Sequence, residues 1–113
     1  MFKLFAVFLG AMLLAVSYGG LPGGYTDRPE LIEDPFVKSL TSFAAEYYAK
    51  KENIFLSRLK VIHVQTQVVA GVNYKLDFTG EIVSDISGKL ATCHAVIYVR
   101  FDQTQSVTNI RCD

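Results

Sequence analysis

The sequence predicts an α+β domain in which an antiparallel β-sheet wraps around one long α-helix. Two observations carry this. Apolar residues between Phe36 and Tyr47 recur at helical spacing, whereas from Leu59 to Cys112 the apolar period is two. The length, 113 residues, allows one domain. One helix followed by four hairpin-linked strands finds its simplest layered packing with the sheet laid over the helix.

The chain opens with Lys3, then an apolar run from Leu4 to Val16, then small or polar residues. This is the three-part pattern of a secretory signal peptide. The run is shorter than the ~20 residues a membrane-spanning helix needs. Ala15-Val16-Ser17 supplies the small residues a signal peptidase reads, so residues 1–17 are expected to be removed. Residues 18–113 would form the secreted, extracellular domain. Without Lys3 the mature chain has ten basic and eleven acidic residues, a net charge of about −1. No basic stripe stands out, which argues against nucleic acid and anionic membranes as partners. A domain of this size buries only about 60–70% of its unfolded surface, so covalent support is useful. Cys93 and Cys112 read as a disulfide in an exported protein, against the alternative of two separate buried thiols. Closing a loop of about 20 residues contributes on the order of 3 kcal/mol. There is no Asn-x-Ser/Thr sequon, so N-glycosylation is not expected.

Along the mature chain, Gly19 to Gly24 is rich in glycine and proline and reads as a flexible arm. Asp34 can cap a helix, and Pro35 fits its first turn. Phe36, Leu40, Phe43 and Tyr47 form one stripe of a helix reaching about Lys51, with Lys50 and Lys51 favourably placed in the last turn. Leu59–Val69 is rich in Val and Ile. Val72, Tyr74, Leu76 and Phe78 then alternate with Asn73, Lys75, Asp77 and Thr79. Ser84–Gly88 is a turn-rich break. Ala91, Cys93, Ala95, Ile97, Val99 and Phe101 form a further apolar face, and Ser106–Cys112 is the last strand. If Cys93 faces Cys112 with no bulge between, the last turn centres on Asp102-Gln103.

The segment Gln67-Val68-Val69-Ala70-Gly71 falls where strand Leu59–Thr66 must reverse into strand Val72–Thr79. Such tips are normally polar. An apolar tip points to a binding surface, unless it folds back into the core. Gly71 can take a positive φ without penalty. The segment fits the Gln-x-Val-x-Gly motif and so resembles the cystatins, with Gln67, Val69 and Gly71 at the defining positions. Ala70-Gly71-Val72-Asn73-Tyr74 continues as many cystatins do. Gly23-Gly24, preceded by Leu21-Pro22, stands at the spacing of the family's amino-terminal glycine, and Cys93 and Cys112 match the carboxy-terminal disulfide of its secreted members. The likeness covers essentially all of residues 18–113.

The resemblance implies a cystatin-like fold and reversible, tight-binding inhibition of papain-like cysteine peptidases of the cathepsin type. The implied wedge has three parts: the arm with Leu21, Pro22, Gly23 and Gly24; the tip Gln67, Val68, Val69, Ala70 and Gly71; and a second tip with Arg100, Phe101 and Asp102. The departures are specific. Many secreted cystatins carry Pro-Trp on the second hairpin, where this chain has Arg100-Phe101-Asp102. Phe101 either replaces the tryptophan or continues the apolar face of Ile97 and Val99. The second disulfide of four-cysteine cystatins is absent, which predicts a less tethered loop from Glu81 to Leu90. Lys51-Glu52-Asn53 does not reproduce the serine-asparagine motif used against legumain.

An enzyme is not expected, because no nucleophile, histidine and carboxylate are spaced for one. No cofactor or metal is expected either. His63 and His94 read as isolated strand histidines, and Asp77 and Glu81 as solvated. The competing function is a noninhibitory cystatin-fold binding module or precursor domain. A monomer is expected, with a domain-swapped dimer left open.

Overall fold

The computed structural model describes residues 24–113. The expected signal peptide and the arm residues Leu21, Pro22 and Gly23 lie outside them. The elements run β1 (Thr26–Asp27), a single 3-10 turn (Pro29–Leu31), α1 (Pro35–Glu52), β2 (Leu56–Val69), β3 (Gly71–Ile82), β4 (Leu90–Val99) and β5 (Gln105–Cys112). The strands form one antiparallel sheet in the order β1-β2-β3-β4-β5. The α+β architecture is as the periodicity predicts. The short edge strand β1 is an addition, since two residues are too few to show a period.

α1 starts where the sequence indicates. Asp34 accepts a hydrogen bond from the Val37 amide at 3.1 Å, and Pro35 occupies the first turn. The helix ends at Asn53 in the left-handed conformation, φ 57°, with its amide bonded to the Ala49 carbonyl. The face against the sheet is Val37, Leu40, Thr41, Ala44, Ala45 and Ala49. Of the stripe read from the aromatic residues, only Leu40 is fully buried. Phe36 and Phe43 pack at its flank and Tyr47 is 42% exposed. The helix assignment therefore holds, but its buried face is rotated. Alanines let the helix approach the sheet closely, and the larger rings cover the sides. Phe36 meets Tyr74 edge-to-face at 5.8 Å.

The sheet supplies Val61, Val64, Leu76, Phe78, Ala91, Cys93, Ala95, Ile97 and Val99 to the same core. Register breaks in β2 around Arg58-Leu59 and at Ile62 add residues that β3 does not match. Such bulges bend a strand, which lets the sheet curve over α1. The extra residue Ile62 is consequently half-exposed despite its apolar side chain.

Cys93 pairs with Cys112 in the β4–β5 register and is disulfide-bonded to it, with Cα atoms 4.0 Å apart. The last turn is not centred on Asp102-Gln103 as expected. A bulge at Thr108 shifts the register between Val96 and Ile97, so Val99 pairs with Gln105 and the turn centres on Asp102. The loop after β3 is also shorter than expected. Glu81 and Ile82 belong to β3 and Leu90 to β4, and the turn between is tied by Asp85, which accepts from the Ser87 amide and hydroxyl.

Candidate functional site

Both the β2–β3 and the β4–β5 hairpins turn at the same end of the sheet. Val72 at the base of the first tip pairs with Val99 at the base of the second. β1 pairs antiparallel to β2, Thr26 with Thr66 and Asp27 with Gln65, so its amino-terminal side points to this same end. Gly24, the one predicted arm residue within the described chain, is exposed there.

The first tip is tighter than the sequence suggests. Gln67 and Val68 are strand residues, paired with Asn73 and Val72, and the ladder persists to Val69 and Gly71. Ala70 alone lies outside it. Gly71 makes this reversal feasible for two reasons. Its φ is +120°, a conformation that residues with a side chain rarely adopt. A Cβ there would also lie 2.5 Å from the Val99 carbonyl oxygen. The tip exposes apolar surface rather than folding it into the core: Val68 is 77% and Val69 41% exposed.

The second tip runs from Arg100 to Thr104. The Arg100 amide donates to the Thr104 carbonyl at 2.9 Å, and the Gln103 amide to the Arg100 carbonyl at 2.9 Å. The Asp102 carboxylate turns back onto Thr104, accepting from its amide at 3.0 Å. Hydrogen bonds from the Thr104 side chain and amide hold the Asp102 carboxyl below its ordinary pKa. Phe101 is 79% exposed, which excludes the core reading: β4 ends at Val99, and the ring does not continue the apolar face.

Two tips thus stand at one end of the sheet, the first exposing Val68, Val69 and Ala70 and the second Phe101, while Gly71 is buried beneath the apex. A family model of the cystatin domain matches residues 23–102, which include the first tip and the start of the second. The chain belongs to the cystatin family. It is 34% identical over 124 residues to Cystatin-2 of Ornithodoros moubata, covering 91% of this chain and 95% of that one. It is 33% identical over 113 residues to Cysteine proteinase inhibitor 8 of Oryza sativa, covering 89% and 85%. A crystal structure of a salivary cystatin from the soft tick Ornithodoros moubata is similar at a TM-score of 0.66 and 28% identity, covering 82% of this chain and 99% of that chain.

Within this cystatin, two side-chain arrangements escaped the sequence. The first braces the tip. The Asn73 side-chain amide donates to Gln67 Oε1 at 2.7 Å, and Asn73 also pairs with Tyr98 across β3 and β4. The Tyr98 hydroxyl donates to the Ala70 carbonyl. Tyrosine at an alternating strand position gives no sign of reaching a neighbouring turn.

The second arrangement crosses the outer face of the sheet. His63 Nε2 meets Asp27 at 3.0 Å and its Nδ1 meets Asp77 at 3.2 Å. The other oxygen of Asp77 meets His94 Nδ1 at 2.7 Å, and His94 Nε2 meets Asp113 at 3.3 Å. The histidines are therefore not isolated, nor is Asp77 simply solvated. Register brings His63, Asp77 and His94 into one row, a long-range pairing that strand alternation leaves undetermined. Hydrogen bonds with Asp27 and then Asp77 hold the His63 pKa above its ordinary value.

Proposed function

We propose that this cystatin is a secreted, reversible, tight-binding inhibitor of papain-like cysteine peptidases of the cathepsin type. The carrying observation is that Val68 and Val69 on the first tip and Phe101 on the second are exposed at the same end of the sheet. Large apolar side chains held out in water on a small domain are a docking surface. Ridge and cleft fit because the tips are narrow and already shaped, so little conformational entropy is lost on docking. Binding is noncovalent, with apolar side chains and backbone filling the cleft on both sides of the catalytic cysteine.

Magnitudes assign work to the arm as well. Three side chains at about 2 kcal/mol each supply about 6 kcal/mol. Nanomolar affinity requires about 12 kcal/mol net of the association cost. The tips alone fall short, and Leu21 would add apolar burial by anchoring in an apolar subsite. Pro22 would limit the arm's ordering cost, and Gly23 and Gly24 would let the backbone approach the enzyme. Arg100, Phe101 and Asp102 would tune selectivity from the second tip.

Titration against papain and a panel of lysosomal-type peptidases, with residual hydrolysis as readout, tests this. Stoichiometric inhibition by one monomer per enzyme is expected. An absence of inhibition at micromolar concentration would favour a noninhibitory binding module. Gly23→Trp should weaken binding without changing thermal stability. Deleting the residues before Gly24 isolates the share of Leu21 and Pro22.

A further inference from the structure

We propose that His63 is a positioning residue for the amino-terminal arm: its charged imidazole clasps the root of the arm to the sheet and so presets the arm for docking. The inference rests on the inhibitory reading given above and adds to it a dependence on pH. The described chain begins at Gly24 and joins the sheet through β1. β1 is an edge strand of two exposed residues, Thr26 and Asp27, paired with Thr66 and Gln65. So short and exposed an element opens locally at little cost, and side chains decide how firmly it is seated.

Those side chains come from both faces of the sheet. Arg28 donates its amide to the Val64 carbonyl at 2.8 Å and its Nε to Thr66 Oγ1 at 3.0 Å. On the outer face Lys75 Nζ stands 5.3 Å from the centroid of the Tyr25 ring. There too, Asp27 Oδ1 meets Gln65 Nε2 at 2.9 Å and His63 Nε2 at 3.0 Å. Of these contacts to the root, only the one from His63 belongs to a side chain that changes charge near neutral pH.

The surroundings of the ring make that charge decisive. Nε2 faces Asp27 from β1, and Nδ1 faces Asp77 from β3 at 3.2 Å. The other Asp77 oxygen is engaged by His94 from β4 at 2.7 Å, and behind His94 stand Asp113 and Arg111. A protonated ring donates to both carboxylates and links β1 through β2 to β3. A neutral ring has one N–H, so one nitrogen turns a lone pair toward a carboxylate oxygen. Either tautomer breaks the link, at Asp27 directly or at the Asp77 brace behind it. The two carboxylates, Asp27 first, hold the imidazole pKa above its ordinary value. The clasp is therefore closed in mild acid and opens as pH rises through that raised value. A seated root holds the start of the arm in place before docking. An unseated root must be ordered on binding, so apparent affinity falls with the fraction of molecules in which β1 is seated.

His63→Gln tests this, because glutamine keeps a donor and an acceptor but carries no charge at any pH. Wild type and variant are titrated against papain at about pH 5.5 and about pH 8.5, on either side of the ordinary imidazole value of about 6.5. The enzyme's own titration enters both measurements and cancels in the ratio of their inhibition constants. The variant should be about two- to fivefold weaker at the lower pH, the scale of one exposed ion pair, and equal to the wild type at the higher. The same pair is then compared in a Gly23→Trp background, which spoils arm docking without placing a new amino terminus beside Asp27. There the ratio should be one at both pH values. A ratio that persists in that background would mean that His63 acts on the tips, and would overturn the positioning role. So would a ratio that is equal and above one at both pH values, since lost packing rather than lost charge would then be its cause. An inhibiting wild type that His63→Gln matches at both pH values removes the role of His63 alone. A wild type that inhibits at neither pH removes the inhibitory reading itself, and the arm's role with it.

Discussion

The two hairpin tips stand next to each other but are held by different means. The first is locked from outside itself. Gly71 has a positive φ and no room for a side chain, Tyr98 reaches in from β4, and Gln67 is tied to Asn73 across the ladder. The second is held by its own turn, through Arg100–Thr104 backbone bonds and the Asp102 carboxylate on Thr104. A shape fixed by several strands tolerates few sequences. A shape fixed by local turn chemistry tolerates many, provided the turn bonds survive. The first tip is therefore where the family pattern is intact, and the second is where this chain departs from it.

Gly71→Ala should give the largest effect and breaks the comparison at its stronger side. The new Cβ meets a backbone oxygen, which cannot swing aside as a side chain would. A strained, sparsely populated backbone conformation costs about 1–3 kcal/mol. If the tip distorts to relieve that strain, inhibition should weaken on the order of a hundredfold. Inhibition constants against papain, measured beside thermal denaturation, would show it. Unchanged values in both would mean that the tip does not depend on this glycine.

Replacing both Cys93 and Cys112 with serine comes next and acts on the other hairpin. Removing a bridge around a loop of this length should cost about 3 kcal/mol of stability. Because the pair lies at the base of β4 and β5, amide exchange should accelerate along Gln105–Cys112 far more than along Gln67–Gly71. Equal acceleration at both hairpins would show that the first tip is not independently braced.

This contrast also explains what was legible. The caps of α1, the strand periods and the cysteine pair are local or nearly local signals, and each gave its element. The buried face of α1 is rotated from the aromatic stripe because close packing against the sheet selects the small side chains of Ala44, Ala45 and Ala49. The turn at Asp102 was displaced by a bulge at Thr108 that has no glycine or proline to mark it. β1 was too short to show a period. Within the candidate site, the tip residues were readable from a motif, but their support was not. Tyr98 acts on Ala70, 28 positions away in sequence, and only the strand register brings them together.

Phe101→Ala sharpens the weaker side of the comparison. The ring is mostly in water in the free protein, so its removal should leave the melting temperature unchanged. In the complex a buried phenylalanine is worth about 1.5–3 kcal/mol, so affinity should fall roughly ten- to a hundredfold if the ring is fully covered and less if it is partly covered. The loss should vary from one peptidase to another more than the loss from Gly71→Ala does. A uniform loss across a panel would mean that the second tip carries affinity rather than selectivity.

The smallest expected effect concerns pH and lies behind the first tip, at β1. Both ring nitrogens of His63 face carboxylate oxygens, from Asp27 on β1 and Asp77 on β3. A neutral imidazole has one N–H and would present a lone pair to one of them, while the protonated ring donates to both. Gln65 donates to the same Asp27 oxygen, and His94 shares Asp77 from β4. The folded-state pKa of His63 is raised, first by Asp27 and then by Asp77. Its stabilisation is therefore fully present below the unfolded value, about 6.5, and is lost as pH rises through the higher folded value. The wild type should melt at a slightly higher temperature at pH 6 than at pH 8, by a small margin because the imidazole is half-exposed and screened. His63→Gln should flatten that slope and loosen β1, seen as faster amide exchange at Thr26 and Asp27. It should leave exchange in β5 unaltered, because the bonds of His63 reach only β1 and β3. A slope that survives the substitution would show that His63 is not its source.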